Sequence, residues 1–353
     1  MYPPSTMTTR CGLANVGNTC YLNSAFQALS RTRTFTDYLG GGEWTKHRHE
    51  TRRGYDLAGE TVSLMEQMSR SQMVIPRKFV QTFVTFARDF NDEIRFGAQA
   101  DAAEAIQILL DGLHTQLARE VKMDIKGDPT TPEQQEYIAS LESWASFFRK
   151  EYSPFVDEFY GQTRTQFICA ECDARSVKFE PWSILKVEIP GADKVGSPAP
   201  TLKECIASAF CTETLDDYVC DHCKKKGTTR KEQTISRFPH TLILSLKRFT
   251  NAGSKVRARI VYDASYVDMS DWISWPSLER KVAYSIVSTI EHLGSNRGGH
   301  YIMRAKNREK DDSYKEKDEW FIYDDNSVAP CREGGDAGPD TYILILEKQQ
   351  SIR

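Results

Sequence analysis

Along the first 150 or so residues, apolar positions recur at helical spacing. From Cys20 onward, Leu22, Ala25, Phe26 and Leu29 fall on one side of a helix, and Asn18 or Thr19 stands immediately before it as a cap. Further helices are predicted over Leu57–Met68, Arg77–Phe90 and Glu133–Phe148. The clearest begins near Asp101, where Ile106, Leu109, Leu110, Leu113 and Leu117 keep the helical period. Asp101 and Glu104 there have the spacing of a capping box. The stretch Gly40–Arg53, glycine-rich and then basic, reads as an exposed connection.

From about Phe159 the pattern shifts toward alternating and branched residues. Strands are predicted in Phe167–Cys172, Ser176–Ile189, Leu242–Phe249 (LILSLKRF), Tyr284–Ile290 and Trp320–Tyr323, with Tyr342–Leu346 (YILIL) as a terminal strand. Between Lys306 and Glu319 the run KNREKDDSYKEKDE mixes both charge signs and reads as a solvated loop. A helical first lobe is thus followed by sheet-rich material.

Composition narrows the class. The 353 residues allow a large core and two or three subdomains, and 40% hydrophobic with 27% charged residues is ordinary for a globular protein. A formal net charge of -3 gives no reason to expect a nucleic-acid partner. No apolar run approaches the roughly 18 residues of a membrane helix. The start MYPPSTMTTRCGL lacks the apolar core of a signal peptide, so cytosol or nucleus is the expected location, with no membrane partner.

Nine cysteines are few for a disulfide scaffold of this length, and the number is odd. In a reducing compartment, clustered cysteines serve as metal ligands or catalytic thiols. Cys169 with Cys172 and Cys220 with Cys223 form two CxxC pairs with 47 residues between them. Four thiolates suit tetrahedral zinc, and each short turn directs two of them inward. One structural zinc is expected; with four sulfurs bound, His222 is not a ligand, and the ion has no open position for catalysis.

Two segments near opposite ends carry candidate chemistry: NVGNTCYLNS from Asn15 to Ser24, and GGHY from Gly298 to Tyr301. A cysteine hydrolase needs a nucleophile, a base, a group that orients the base and donors for the oxyanion. Cys20 supplies the first, at a helix start where unpaired N–H groups favour a thiolate. His300 is the base candidate among seven histidines, because the glycines before it permit a tight turn. The third role falls to Asp324 or Asp325 in WFIYDDNSV, a run that is also an ordinary turn signal. Asn15 offers an amide for the oxyanion, or simply forms its loop.

Taken together, these residues resemble the ubiquitin-specific protease family of cysteine deubiquitinases. GLANVGNTCYLNSAFQAL (Gly12–Leu29) matches its cysteine box, and GGHY followed by WFIYDDNSV its histidine box. QADAAEAIQILLDGLH (Gln99–His114), the two CxxC pairs, LSLKRF (Leu244–Phe249) and YILIL fall in the family's order across nearly the whole chain.

The resemblance implies an α+β fold with a papain-like core and a single catalytic domain over 11–347: a helical thumb (11–158), mainly fingers with palm-connecting strands (159–245), and mainly palm (246–347). It implies Cys20 as nucleophile, His300 as base, Asp324 as third triad member, Asp325 as an assisting neighbour and Asn15 as oxyanion donor. The implied reaction is hydrolysis after the terminal glycine of ubiquitin, with no catalytic cofactor. Asp101 and Glu104 are expected along the channel for the ubiquitin tail, whose arginines precede paired glycines, and Tyr301 is expected to wall its narrow end. The zinc would sit at the end of the fingers, while Trp182, Phe179 and Phe249 read as packing residues. Ala100 and Ala105 depart from the family pattern, which usually has glutamine and an aromatic residue there. They leave open another ubiquitin-like modifier as substrate, beside ubiquitin and ubiquitinated proteins. A catalytically weak ubiquitin-binding scaffold is the reading from another class, and a targeting or activating protein is a further expected partner.

Overall fold

The helix that starts at Cys20 is buried on every side, and the rest of the chain is arranged around it. All ten residues of α1 (Cys20–Leu29) are inaccessible. The expected apolar side is there, with Phe26 packing 4.7 Å, centroid to centroid, from Phe79. The polar side is buried as well, because its amides have partners: Asn23 Nδ2 donates to the Leu13 carbonyl at 3.1 Å and Gln27 Nε2 to the Cys11 carbonyl at 2.7 Å.

The computed structural model describes residues 10–49, 54–191, 198–250, 253–279, 281–295, 298–306, 319–331 and 336–349. Around α1 stand α2 (Leu57–Met68), α3 (Arg77–Ala87) and α4 (Ala102–Leu117), with α5 (Pro132–Phe148) and α6 (Pro154–Phe159) beyond. Two brief strands, β1 (Gly12–Leu13) and β2 (Met73–Val74), pair in parallel within this lobe. Asp101 caps α4 as expected, accepting from the Ala103 and Glu104 N–H groups at 2.8 and 3.1 Å. The reciprocal half of the box does not form, because Glu104 turns instead to Asn91 Nδ2 at 2.7 Å. A full capping box occurs at α5, between Thr131 and Gln134. The predicted connection Gly40–Arg53 contains a 3₁₀ turn over Glu43–Lys46 with Trp44 buried; its residues 50–53 lie outside the described region.

Two sheets follow. β3 (Gly161–Cys169), β4 (Arg175–Trp182), β6 (Glu213–Val219) and β7 (Lys226–Arg237) form an antiparallel four-stranded sheet in the order β4-β3-β7-β6. The chain passes between its halves through β5 (Ile184–Val187) and α7 (Leu202–Ser208). The larger sheet adds β8 (Thr241–Leu246), β10 (Val267–Asp268), β11 (Ala283–Ser295), β12 (Gly298–Lys306), β13 (Trp320–Asp324), β14 (Ser327–Cys331) and β16 (Thr341–Lys348). Its order is β14-β13-β12-β11-β16-β8-β5, with β10 on β11; β9 (Ile260–Val261) and β15 (Asp336–Ala337) pair separately. Most of the Lys306–Glu319 run lies outside the described residues.

Both faces of the larger sheet are covered. Along β16, Ile343 and Ile345 pack with the helical lobe, while Leu344 and Leu346 pack with Tyr284, Ile286 and Trp320 on the opposite face. That is why this strand reads as an unbroken apolar run instead of an alternation. Among the described residues no helix is long and apolar enough to cross a membrane.

A buried cation, Arg248, gathers loops at one end of this sheet. Arg248, fully inaccessible, donates through Nη1 to the carbonyls of Val256 and Ala258, both at 2.9 Å, and through Nη2 to Gly338 at 3.1 Å. Its Nε donates to the Thr341 carbonyl. Burial pulls its pKa down to about 10, so it stays charged at neutral pH. Arg248→Met strands these carbonyls without donors and should lower the unfolding free energy by about 3 kcal/mol or more, read from the guanidinium midpoint at constant m. A loss under about 1 kcal/mol would show that water replaces the side chain at little cost.

Candidate active site

Cys20 follows a loop in which Gly17 and Asn18 take left-handed backbone, with φ of +107° and +55°. Asparagine is one of the few residues other than glycine that tolerates this conformation. Neither expected cap forms. Asn18 Nδ2 donates to the Gly97 carbonyl at 2.7 Å, and the Thr19 hydroxyl accepts from the Val16 N–H at 3.1 Å. The loop is organised from within by Asn15, whose Oδ1 accepts from the N–H groups of Thr19 and Gly17 at 3.0 and 3.3 Å.

The structure brings the distant segments together. Asn15 Nδ2 donates to Asp325 Oδ2 at 2.9 Å across 310 positions of sequence, and Asn23 Nδ2 donates to Asp325 Oδ1 at 2.8 Å. Asp325 sits at φ +48° in the turn between β13 and β14, and its carbonyl accepts from the Leu13 N–H at 2.8 Å. Gly12 lies so close that a Cβ would fall 2.3 Å from the Asn326 carbonyl oxygen. On β12, His300 Nε2 is 2.6 Å from Asp324 Oδ1. The two aspartates therefore divide their work: Asp324 holds the imidazole and Asp325 holds the nucleophile segment. With Nε2 engaged, Nδ1 is the ring nitrogen left for proton transfer.

Cys20 is buried at the start of α1, which packs on β12 near the backbone N–H of Tyr301. Burial raises the thiol pKa above its ordinary 9.0; that N–H opposes the rise and the Asp325 charge adds to it. Among the described residues no hydrogen bond joins Cys20 to His300 in this resting arrangement. At neutral pH Cys20 is accordingly a thiol, and any attack by its sulfur would need a base to take the proton.

Two adjoining cavities lead along the cleft between the helical lobe and the larger sheet. The larger, about 460 Å³, is lined by Asp101, Glu104 and Gln107 from α4 and by Lys186, Phe249 and Tyr342 from the sheet side. The smaller, about 350 Å³, is lined by Gln99, Ala100, Asp101, His292, Gly298 and Tyr301, with Phe249 bordering both. Asp101 is already engaged as a cap and by the Tyr342 hydroxyl at 2.7 Å, yet it fronts both cavities. The Tyr301 ring lies 4.7 Å from that of His292, and Phe249 meets His292 edge-on at 5.3 Å. Phe249 thus packs, as expected, and also walls the cleft.

Away from the cleft, the four CxxC cysteines converge at the far end of the four-stranded sheet. Their sulfurs lie within 4.8 Å of one another, with Cys169 to Cys223 at 3.9 Å and Cys172 to Cys220 at 3.8 Å. Four sulfurs at about 2.3 Å from one tetrahedral zinc stand roughly 3.8 Å apart, so the cluster has the size of that ion. Each pair folds alike: the Asp173 N–H donates to the Cys169 carbonyl at 3.0 Å and the Lys224 N–H to the Cys220 carbonyl at 2.9 Å, with Asp173 and Lys224 both left-handed. Backbone N–H groups of Cys223 and His222 bring Cys220 down to about 7. Cys172, though favoured by the Ala174 N–H, is pushed up to about 12 by desolvation and the neighbouring sulfurs. Held this close, all four sulfurs could be thiolates only with a cation between them.

Several residues of the site escaped the sequence reading. Asn23 carried a signal, a polar side chain inside an apolar helical pattern. Gln99 opened a matched motif without showing what it would pair with, and His292 and Lys255 carried no signal, because these roles arise from pairing between strands and across the cleft. Lys255 Nζ sits 2.6 Å from Asp340 and donates to the His292 carbonyl, fixing the β11–β12 hairpin from behind.

Residues 11–346 match the family model described as ubiquitin carboxyl-terminal hydrolase. Ubiquitin carboxyl-terminal hydrolase 2 of Bos taurus is 28% identical over 346 residues, covering 95% of this chain and 54% of its own length. Ubiquitin carboxyl-terminal hydrolase Usp2 of Drosophila melanogaster is 29% identical over 346 residues, covering 96% of this chain and 35% of its own. The chain therefore spans about half of the first relative and a third of the second. Among solved structures, Ubp8 in the SAGA Ubp8/Sgf11/Sus1/Sgf73 module bound to ubiquitin aldehyde superimposes with a TM-score of 0.72 at 19% identity, over 99% of this chain and 72% of that one. That likeness establishes the α+β fold, and the match over nearly the whole length places the chain in the ubiquitin carboxyl-terminal hydrolase family.

Proposed function

We propose that the chain is a thiol-dependent deubiquitinating protease, cleaving the isopeptide or peptide bond after the C-terminal glycine of ubiquitin. One observation carries the reading: in a member of this family, His300 is held by Asp324 at 2.6 Å on β12, the strand against which α1 with Cys20 packs. His300 Nδ1 takes the Cys20 proton as sulfur attacks the glycine carbonyl. The oxyanion forms beside the N–H groups around Cys20 and the second N–H of the Asn15 amide, whose first is fixed on Asp325. His300 then protonates the leaving lysine amine, and water releases the acyl group with His300 again as base. Asp101 and Glu104 face the arginines of the tail, and Tyr301 and Phe249 narrow the path to its glycines. The relatives' names and the ubiquitin-bound neighbour support the substrate class. Ala100 on the smaller cavity leaves room for another modifier's tail.

In this reading the helices through residue 158 are the thumb, the four-stranded sheet the fingers and the larger sheet the palm. Cys169, Cys172, Cys220 and Cys223 would hold one structural zinc, whose contribution is to fasten the ends of the finger strands.

Three measurements check this. Ubiquitin carrying a C-terminal electrophile should label the reduced wild-type protein and not Cys20→Ala; preferential labelling by a different modifier's probe would reassign the substrate, and none by any probe would leave a scaffold. Because the Cys20 pKa lies above 9.0, its thiolate accumulates only as pH rises past that value. Iodoacetamide alkylation of Cys20 should therefore keep accelerating beyond pH 9; a rate already level between about pH 6 and 8 would reveal a preformed thiolate. Metal analysis should find one zinc per chain, lost in Cys172→Ser together with several degrees of Tm, and a zinc-free wild type would refute the metal site.

A further inference from the structure

The outward edge of β12 is completed by three unrelated groups. Met303 pairs with Tyr323 of β13, where that ladder begins. Two residues earlier Tyr301 stands beside Cys20 of α1, which packs on this strand. Two residues earlier again, the Gly299 N–H donates to Gln99 Oε1 at 3.2 Å while its carbonyl accepts from Gln99 Nε2 at 2.9 Å. On this edge β13 does not reach far enough to pair with Gly299, whose other edge faces Gly294 of β11. A primary amide carries the same donor and acceptor as a peptide group, so Gln99 occupies the place a neighbouring strand would take. It does so one residue before His300, on the wall of the smaller cavity.

A tail ending in paired glycines offers nothing at that point except its peptide groups. An extended chain lacking side chains is gripped by adding to a free strand edge. The edge presented here is that of Gly299, and it is taken. We propose that the Gly299 peptide is the subsite for the peptide group preceding the scissile bond, and that Gln99 is its resident competitor, displaced when the tail docks and thereby setting tail affinity. The proposal rests on the reading of the chain as a hydrolase of glycine-ended modifiers.

Gln99 is not needed to hold the hairpin. Lys255 grips the His292 carbonyl, Arg257 Nη2 donates to the Gly294 carbonyl at 2.8 Å, and the His292 N–H donates to the Asp340 carbonyl at 2.8 Å. Nor is it needed to hold its own loop, which Asn18 anchors at Gly97. The Gln99 pairing is also exposed and neutral, hence weak enough for a substrate to replace.

The test compares the full wild-type chain with Gln99→Ala and Gln99→Glu, reading the rate of Cys20 labelling by a ubiquitin C-terminal electrophile beside iodoacetamide alkylation and Tm. Gln99→Ala frees the edge and should label roughly three- to tenfold faster, the range for one neutral hydrogen-bonded pair. Gln99→Glu sets a carboxylate oxygen against the Gly299 carbonyl and should label faster too. Iodoacetamide, which needs no peptide edge, should react at unchanged rates. Equal or slower ubiquitin labelling with iodoacetamide unchanged overturns the proposal. Slowing of both reagents also overturns it and makes Gln99 a brace. If ubiquitin fails on wild type but another modifier's probe succeeds, only the substrate reading changes and the comparison is run with that probe; if no probe labels, both fall.

Discussion

The arrangement depends on the carboxylate of Asp325. A turn between two strands near the end of the chain offers two oxygens, and each accepts from an asparagine of the nucleophile segment, Asn15 and Asn23. The same residue's carbonyl receives the Leu13 N–H. Three bonds thus fasten the start of α1 to the strand end that carries Asp324, so the thiol and the imidazole cannot drift independently. The left-handed backbone of Asp325 is the local strain this junction tolerates, and neutral side-chain donors suffice because both lone-pair directions of the carboxylate are used. The negative charge has a second effect: it discourages the Cys20 thiolate.

Two regimes of polarity serve one cleft. Behind the strands, polar contacts are buried and fixed, as with Arg248 on its carbonyls and Lys255 on Asp340, whose lysine side chain is only 3% exposed. In front of them the contacts are exposed and exchangeable, as with Gln99 on Gly299. A buried pair resists separation because its members would be left without water. An exposed pair can be traded for a ligand at little cost.

Much of this was legible in the sequence, for identifiable reasons. α1, α2 and α4 announced themselves because each buries an apolar stripe, and YILIL because it is covered on both faces. The strands β6 and β7 of the four-stranded sheet did not, since ETLDDYV and KGTTRKEQTISR are largely polar and are held by ladder bonds and the cysteine cluster instead. The short α6 and α7 lie below the length at which a helical period can be counted. At the site, Cys20, His300 and the aspartate pair were visible as motifs. The division of labour between Asp324 and Asp325 was not, because it follows from which side of a two-residue turn each carboxylate leaves.

The placement of β16 has a consequence for how the protein is made. This strand lies between β11 and β8 in the middle of the larger sheet, yet every other strand of that sheet precedes it in the chain. On the ribosome, α1 with Cys20 emerges first and the sheet that carries His300 cannot close until Thr341–Lys348 has left the exit tunnel. An incomplete chain therefore carries the Cys20 thiol without the sheet that holds His300 and Asp324 beside it, and the cleft is assembled only once this late strand has been inserted.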